Sequence, residues 1–344
     1  MEKAINYFKS IVNDIFFTHS PSGYAIDINK VLTKKLDELG YTDYRITNKG
    51  SVEIFIEGED TSKNVGIAAH DDTLGLMVRS IASNGYLKVT NIGGPIIPTL
   101  DGEYCKVYTR DGRSYTGTIL STSPACHVYS DSGTKPRNVD TIEVRLDEEV
   151  HNAKDVEALG INNGDYVCYD PKTVITPSGF LKSRFIDDKA SVCIILSVLE
   201  YIKRNNLKPK YNTYAYFTNY EEVGHGAASI RRDLSEFLAV DMGCVGLDLA
   251  GNEYACSICA KDSSGPYDYE LTSRLISYAK ENNVSHTVDI FPYYGSDASA
   301  AVRAGVDCKA ALIGTGVCAS HGMERTHLKG VKATMELLAL YLTK

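Results

Sequence analysis

Apolar residues recur at helical spacing over residues 4–17 and again over residues 26–39, where Gly40 supplies a stop. The next apolar runs are short and extended: SVEIFIEG from Ser51 and VGIAA at 65–69. After Asp72 the pattern changes. Asn84-Gly85 in IASNGYLKV and Asp111-Gly112 in VYTRDGRSYTG suit the positive φ angles of tight hairpin turns. Short β runs continue to DYVCY at 165–169, broken only by a short helical stretch near 153–159. From about Pro171 the segments alternate again, with a helix over 189–205, strands YNTYAYFTN and CVGLDLA, a helix over 266–282, strand AALI, a Gly-rich turn and a final helix over 329–342. The pattern predicts an α/β host, residues 1–72 plus 169–344, carrying an inserted β-rich domain of residues 73–168. There is no repeat, low-complexity tract or flexible linker.

Composition narrows the function classes. The 344 residues suffice for one large domain or two ordinary ones, and the 43% hydrophobic share is normal for a globular protein. The net charge of -8, with no basic block, argues against nucleic acid as partner. No apolar run approaches a membrane span. The opening MEKAINYFKSIVNDIFF mixes acids and bases and lacks a small-residue cleavage site, so it reads as a folded helix rather than a signal peptide. Nine cysteines are odd in number and scattered. Cys256 and Cys259 have C-x-x-C spacing inside a strand-like YACSIC, with no second pair to complete a zinc site. Free thiols in a reducing cytoplasm are the expectation.

The candidate chemistry collects at strand ends. VGIAA leads into His70-Asp71-Asp72, TYAYFTNY into Glu221-Glu222, and AALIGTGVCAS into His321. VGLDLA carries Asp248, and Asp187-Asp188 directly precede a helix. In open α/β sheets ligands bind outside the carboxyl ends of the strands, so parallel strands would bring these groups to one rim. Two histidines and several carboxylates without cysteine suit a pair of zinc, cobalt or manganese ions. His70, Asp187, Glu222, Asp248 and His321 would supply the ligands. Adjacent ionised carboxylates repel, so metal charge would compensate Glu222 while Glu221 stays free to accept a proton.

Six segments in order carry a resemblance: AHDDTLGLMV, SRFIDDKAS, NYEEVGHGA, VGLDLA, GSDA at 295–298, and SHGMERTH. They resemble the tetrahedral, TET-type metallo-aminopeptidases of metallopeptidase family forty-two, which include glutamyl aminopeptidase and FrvX-like proteins, and the resemblance covers essentially the whole chain. It implies a mixed, mostly parallel sheet with helices on both faces, the β-rich insertion serving as a dimerisation domain, and dimers assembling into a tetrahedral dodecamer. It implies one metal on His70, Asp187 and Asp248 and a second on Asp187, Glu222 and His321, with Glu221 as general base. Asp72 would hydrogen-bond the His70 ring and fix its tautomer. The expected reaction is removal of the amino-terminal residue from a peptide with a free N-terminus, a metal-bridging hydroxide attacking while Glu221 carries its proton to the leaving amine.

Three positions depart from the family pattern: Thr73, Lys189 and His225. Asp188 and His327 have structural explanations as a helix-start acid and an ordinary residue at a helix start. Asp297 would either orient substrate or cap the helix of SDASAAVRAG. Two other readings stay open: a dipeptidase or deacylase for an N-blocked amide, and a catalytically silent peptide-binding assembly. No H-E-x-x-H or G-x-S-x-G occurs, which argues against a zincin or a serine hydrolase of that kind.

Overall fold

The computed structural model describes all 344 residues and divides into two compact units, Met1–Thr73 with Lys172–Lys344, and Leu74–Pro171. The first unit opens with helices α1 (Glu2–Phe16) and α2 (Ile26–Leu39) and strands β1 (Tyr44–Ile46), β2 (Val52–Ile56) and β3 (Asp60–His70). Gly40 closes α2 in the left-handed region at φ 76°, the conformation that a glycine adopts without a Cβ penalty.

The second unit contains β4 (Gly75–Ile81), β5 (Leu87–Ile92), β6 (Tyr104–Tyr108), β7 (Ser114–Ser121), β8 (Ile142–Leu146), helix α3 (Ala153–Ala158) and β9 (Tyr166–Tyr169). Its six strands close into a barrel in the order β4-β5-β8-β7-β6-β9. The Asn84-Gly85 and Asp111-Gly112 turns join β4 to β5 and β6 to β7, both antiparallel pairs. Closure removes the exposed edges that an open sheet of this size would carry.

The chain re-enters the first unit through β10 (Val174–Ile175), β11 (Phe180–Ser183), α4 (Ile186–Arg204), β12 (Tyr211–Thr218) and β13 (Glu236–Cys244). It continues through β14 (Cys256–Asp262), β15 (Gly265–Pro266), α5 (Tyr269–Glu281), β16 (His286–Ile290), α6 (Asp297–Arg303), β17 (Lys309–Val317), β18 (Glu324–His327) and α7 (Leu328–Thr343). The large sheet runs β1-β2-β12-β3-β13-β17-β14-β15, with β16 also on β14. Its centre, β12-β3-β13-β17, is parallel throughout, and antiparallel pairs flank it.

Residue parity assigns the two faces of this centre. Ile67 and Ala69, Ala215 and Phe217, Leu238 and Val240, and Ala311 and Ile313 enter one core with α1, α2, α4, α5 and α7. Their alternates Ala68, Tyr216, Phe237, Ala239, Ala310 and Leu312 enter a second, smaller core with Ala298 and Ala301 of α6. Burial on both faces is why these strands read as nearly continuous apolar runs rather than as alternating ones.

The expected strand CVGLDLA is corrected here. The strand lies earlier, at Glu236–Cys244, and the residues after it form a turn. Lys189, one of the departures from the family pattern, is buried and donates from Nζ to the carbonyls of Ile15 (3.0 Å) and Thr18. It thereby caps the carboxyl end of α1 against α4. All nine cysteines are free; five are buried and Cys126 is exposed.

Candidate metal centre

The parallel strands end together. Thr218 on β12 pairs with His70 on β3, and β13 and β17 run beside them in the same direction. His70 is therefore the last residue of β3, Asp241 lies near the end of β13, and Glu221 and Glu222 follow β12 after a short turn. His321 follows β17, held at a positive φ of 62°. Asp187 and Asp188 leave helical geometry at the start of α4, and the peptide between them is cis. Regular helix begins at Lys189, the start that periodicity predicts.

Asp187 sits in the middle. Its Oδ1 lies 3.0 Å from His70 Nε2 and its Oδ2 lies 3.6 Å from His321 Nε2. Glu222 Oε2 is also 3.6 Å from His321 Nε2, and Glu221 Oε2 is 3.6 Å from His70 Nε2. Donor atoms of His70, Asp187 and Glu222 lie within 4.8 Å of one another, as do those of His70, Asp188 and Asp241. One carboxylate thus turns an oxygen toward each of two histidines.

The His70 ring is oriented from behind. Nδ1 lies 2.9 Å from the Asp72 carbonyl oxygen and 3.7 Å from the Asp72 carboxylate. The main-chain carbonyl, rather than the side chain expected from sequence, is the hydrogen-bond acceptor. A proton on Nδ1 leaves the Nε2 lone pair aimed at the carboxylates. The Asp72 carboxylate instead holds the glutamate turn, accepting from Glu221 N (3.0 Å), Glu222 N (3.3 Å) and Ser22 Oγ (2.5 Å). At the far side of that turn Lys49 donates to the carbonyls of His225 and Gly226, while the His225 ring stacks on Tyr220. His225 is exposed, so it braces the turn from outside.

Asp248 does not join the group. It lies in an exposed turn four residues beyond the end of β13, whereas the buried Asp241, inside that strand, faces His70 and Asp187. Both are acids in apolar runs, so the sequence pattern alone does not choose between them. Glu324, in the SHGMERTH segment, also had no assigned role. It is buried, and its two oxygens accept from Asp187 N (3.0 Å) and His321 N (2.9 Å), fixing two proposed ligands with one side chain. The remaining candidates have other work. Asp297 accepts from Ala227 N at 2.6 Å and from Thr218 Oγ1, while the helix cap of α6 is Ser296. His327 Nδ1 accepts from Lys329 N at the start of α7.

Charge balance tests whether cations fit. Burial pushes the Glu222 carboxyl up to about 8, with Asp187 adding to the shift. Burial pushes Asp241 up to about 7, again with Asp187. Glu221 and Glu324 are also pushed well above the carboxylate range, chiefly by burial. Burial would raise Asp187 too, but hydrogen bonds from His321 and His70 outweigh it and hold the carboxyl low. Burial lowers His70, yet Glu221, Asp187, Asp188 and Asp241 together raise it well above its usual value. The protein alone balances this site by retaining protons on carboxyls and imidazole. In addition, Glu222 Oε1 and Asp188 Oδ1 are buried without a hydrogen-bond partner. Orphaned oxygens, an imidazole nitrogen against a carboxylate, and surplus acid are the donor chemistry of divalent cations. The residues fit such ions.

A cleft of about 280 Å³ opens over the cluster, lined by Asp187, Glu221, Glu222, Asp241 and His321 together with Tyr293, Tyr294, Ser299 and Arg303. The site is a rim pocket of the parallel sheet, as the strand ends imply.

Known proteins resemble this chain over most of its length. The family described as M42 glutamyl aminopeptidase matches residues 50–337. The Bacillus subtilis (strain 168) protein YhfE is 43% identical over 332 residues, covering 96% of each chain. Among solved structures, an aminopeptidase from the archaeon Desulfurococcus kamchatkensis superposes with a TM-score of 0.88 at 23% identity, covering 99% of this chain and 95% of that one. The Pyrococcus horikoshii TET1 peptidase, described as assembling into a tetrahedron or a large octahedral shell, gives 0.85 at 20% identity, covering 98% and 99%.

Proposed function

Because this chain belongs to the M42 glutamyl aminopeptidase family and is a peptide hydrolase, we propose that it is a dinuclear metallo-aminopeptidase releasing the first residue of peptides. The observation that carries the reading is Asp187, with one oxygen toward His70 and the other toward His321. In this reading Asp187, His70 and Asp241 would hold one ion, and Asp187, Glu222 and His321 would hold the other. Zinc, cobalt and manganese all suit these donors. When bound, the ions polarise the scissile carbonyl and make water easier to deprotonate near neutral pH.

The chain's own groups do the rest. Glu221, beside His70 at 3.6 Å and facing the cleft, takes the proton of the attacking water and returns it to the departing amine. Burial, ahead of the neighbouring carboxylates, keeps the Glu221 proton on in the bare protein, and divalent charge nearby would favour its carboxylate as the base. The Asp72 clamp on Glu221 N fixes the approach of that base. The carboxylates lining the cleft also suit a free α-ammonium group. The first test compares amino-acid anilides with their N-acetylated forms. Cleavage of the free forms alone supports the reading, whereas equal cleavage of acetylated substrate replaces it with deacylase or dipeptidase action.

Assembly follows the same likeness: self-association to dimers and a tetrahedral dodecamer. Light scattering should then give a mass near twelve times 37.7 kDa. A monomeric mass contradicts it.

Two further results are expected. Asp241→Asn should weaken metal binding at least about tenfold, the scale seen when metal-site partners are lost, while the surface change Asp248→Asn should leave metal content and stability near wild type. Inductively coupled plasma analysis of both variants decides it; the opposite ranking would restore Asp248 as the ligand.

The second result concerns pH. Bound metal requires ionised carboxylates, but in the bare protein Glu222 and Asp241 hold protons up to about 8 and about 7. The complex therefore binds fewer protons than the free protein, and metal affinity should rise with pH through that range. Folding of the metal-free protein responds with the opposite sign. Carboxyls whose folded values lie above the unfolded ones retain protons that the unfolded chain releases, so the metal-free protein loses stability as pH rises from about 4.5 toward 8. Zinc calorimetry in buffers of different ionisation enthalpy should register proton release; none would contradict the charge balance.

A further inference from the structure

Asp289 stands outside the metal centre with one oxygen unanswered. It lies on β16, is 8% exposed, and its Oδ1 accepts from Ala250 N at 2.8 Å. Its Oδ2 is buried without a hydrogen-bond partner. A buried carboxylate oxygen with no donor is costly, which calls for a group that meets it.

What surrounds Oδ2 is oxygen. A Cβ built on Gly251 would have as its nearest atoms the Cys244 carbonyl oxygen at 2.5 Å, Asp289 Oδ2 at 3.2 Å and Ser257 Oγ at 3.5 Å. These come from three strands, β13, β16 and β14, and all meet beside a residue that has no side chain to fill the space. Thr287 Oγ1 lies 3.2 Å from Ser257 Oγ and shares the Asp289 face of β16. Gly243 permits the approach of Ser257, whose Cβ would lie only 2.3 Å from a Cβ on that glycine. The nearby sulfur does not add a thiolate. Burial first, then Asp187, Asp241 and Asp289, push the Cys244 thiol up to about 12.

We propose that Asp289, Ser257 and the Cys244 carbonyl, with Thr287 beside them, form a site for one alkali-metal cation, potassium or sodium. Donors that are all oxygen suit a hard cation rather than the zinc-type ions of the metal centre. Charge chooses the valence. One carboxylate neutralises a monovalent ion, whereas a divalent ion would leave net positive charge buried. Half-buried Gly251 and Thr287 provide a path from solvent. The ion ties the turn of residues 245–252 to the end of β13 and to β16. Asp241 lies three residues before Cys244 on β13, so the ion fastens the segment that leaves the metal centre.

Thermal unfolding and diffraction test the site. Neither readout needs turnover, so the outcome is independent of the aminopeptidase reading. The metal-loaded protein is melted in potassium, sodium and choline chloride at equal ionic strength. Potassium or sodium should raise Tm by about 2–4 °C over choline, and the larger shift identifies the preferred ion. Asp289→Asn keeps the acceptor for Ala250 N and should melt at one temperature in all three salts. Ser257→Ala should raise the salt concentration needed for the wild-type shift. Crystals of the wild type soaked in rubidium chloride should show an anomalous peak at bonding distance from Asp289 Oδ2, a result that needs no variant to fold. A water molecule there without an anomalous peak, together with equal Tm in the three salts, would overturn the proposal. An alkali-metal shift that persists in Asp289→Asn would place the ion elsewhere and overturn it too. Stabilisation by calcium but by neither potassium nor sodium would contradict the monovalent assignment.

Discussion

Replacing Glu221 by glutamine should lower kcat by about 10²–10⁴-fold, the usual contribution of a positioned general base. The substitution keeps the shape of the side chain and its place behind the Asp72 clamp, since the clamp holds the Glu221 backbone N–H and not the carboxylate. Metal content and KM should therefore stay close to wild type while kcat falls. This combination separates a proton-transfer role from a ligand role, because a lost ligand lowers metal occupancy first. A Glu221→Gln protein with unchanged kcat would remove Glu221 from the mechanism.

Asp187→Asn should have the larger effect on the site as a whole. Asp187 lies between His70 and His321, and it is the one carboxyl of the cluster that its surroundings hold low rather than push up. An amide there cannot supply two anionic oxygens, so two cations would face each other without the charge that separates them. Activity should drop by more than about 10³-fold, comparable with loss of a principal electrostatic stabiliser. Metal content should fall as well. Circular dichroism should remain native, because the surrounding strands bury their apolar faces independently of this carboxyl. Retained activity would exclude Asp187 as a bridge.

Much of this site was legible before any coordinates, for a reason that can be stated residue by residue. The strands leading to His70, Glu221 and His321 are buried on both faces, so each shows as an apolar run ending abruptly in polar residues. Parallel alignment then brings those ends together. Asp241 escaped because it breaks no pattern: it lies inside the apolar strand rather than after it, and the apolar stretch around Asp248 looked equivalent. Glu324 escaped for a different reason. Its function is to accept from two main-chain N–H groups far apart in sequence, and such bonds leave no periodicity.

The role of Asp72 shows the limit of motif reading. A carboxylate two residues after a metal-site histidine suggests a side-chain partner for the ring, yet the local chain path gives that role to its carbonyl and turns the carboxylate to the glutamate turn. In the barrel unit, the Asn-Gly and Asp-Gly dipeptides located two hairpins, because those turns require positive φ. Strands of two to four residues, such as β10 and β18, fall below the length at which alternation can be recognised.

The most direct test of the central claim is metal depletion followed by titration with zinc, cobalt or manganese, reading bound metal per chain and anilide hydrolysis together. The account predicts an inactive stripped protein and full recovery as occupancy reaches two ions per chain. Full activity in the stripped protein, or a plateau at a single ion, would contradict the dinuclear site.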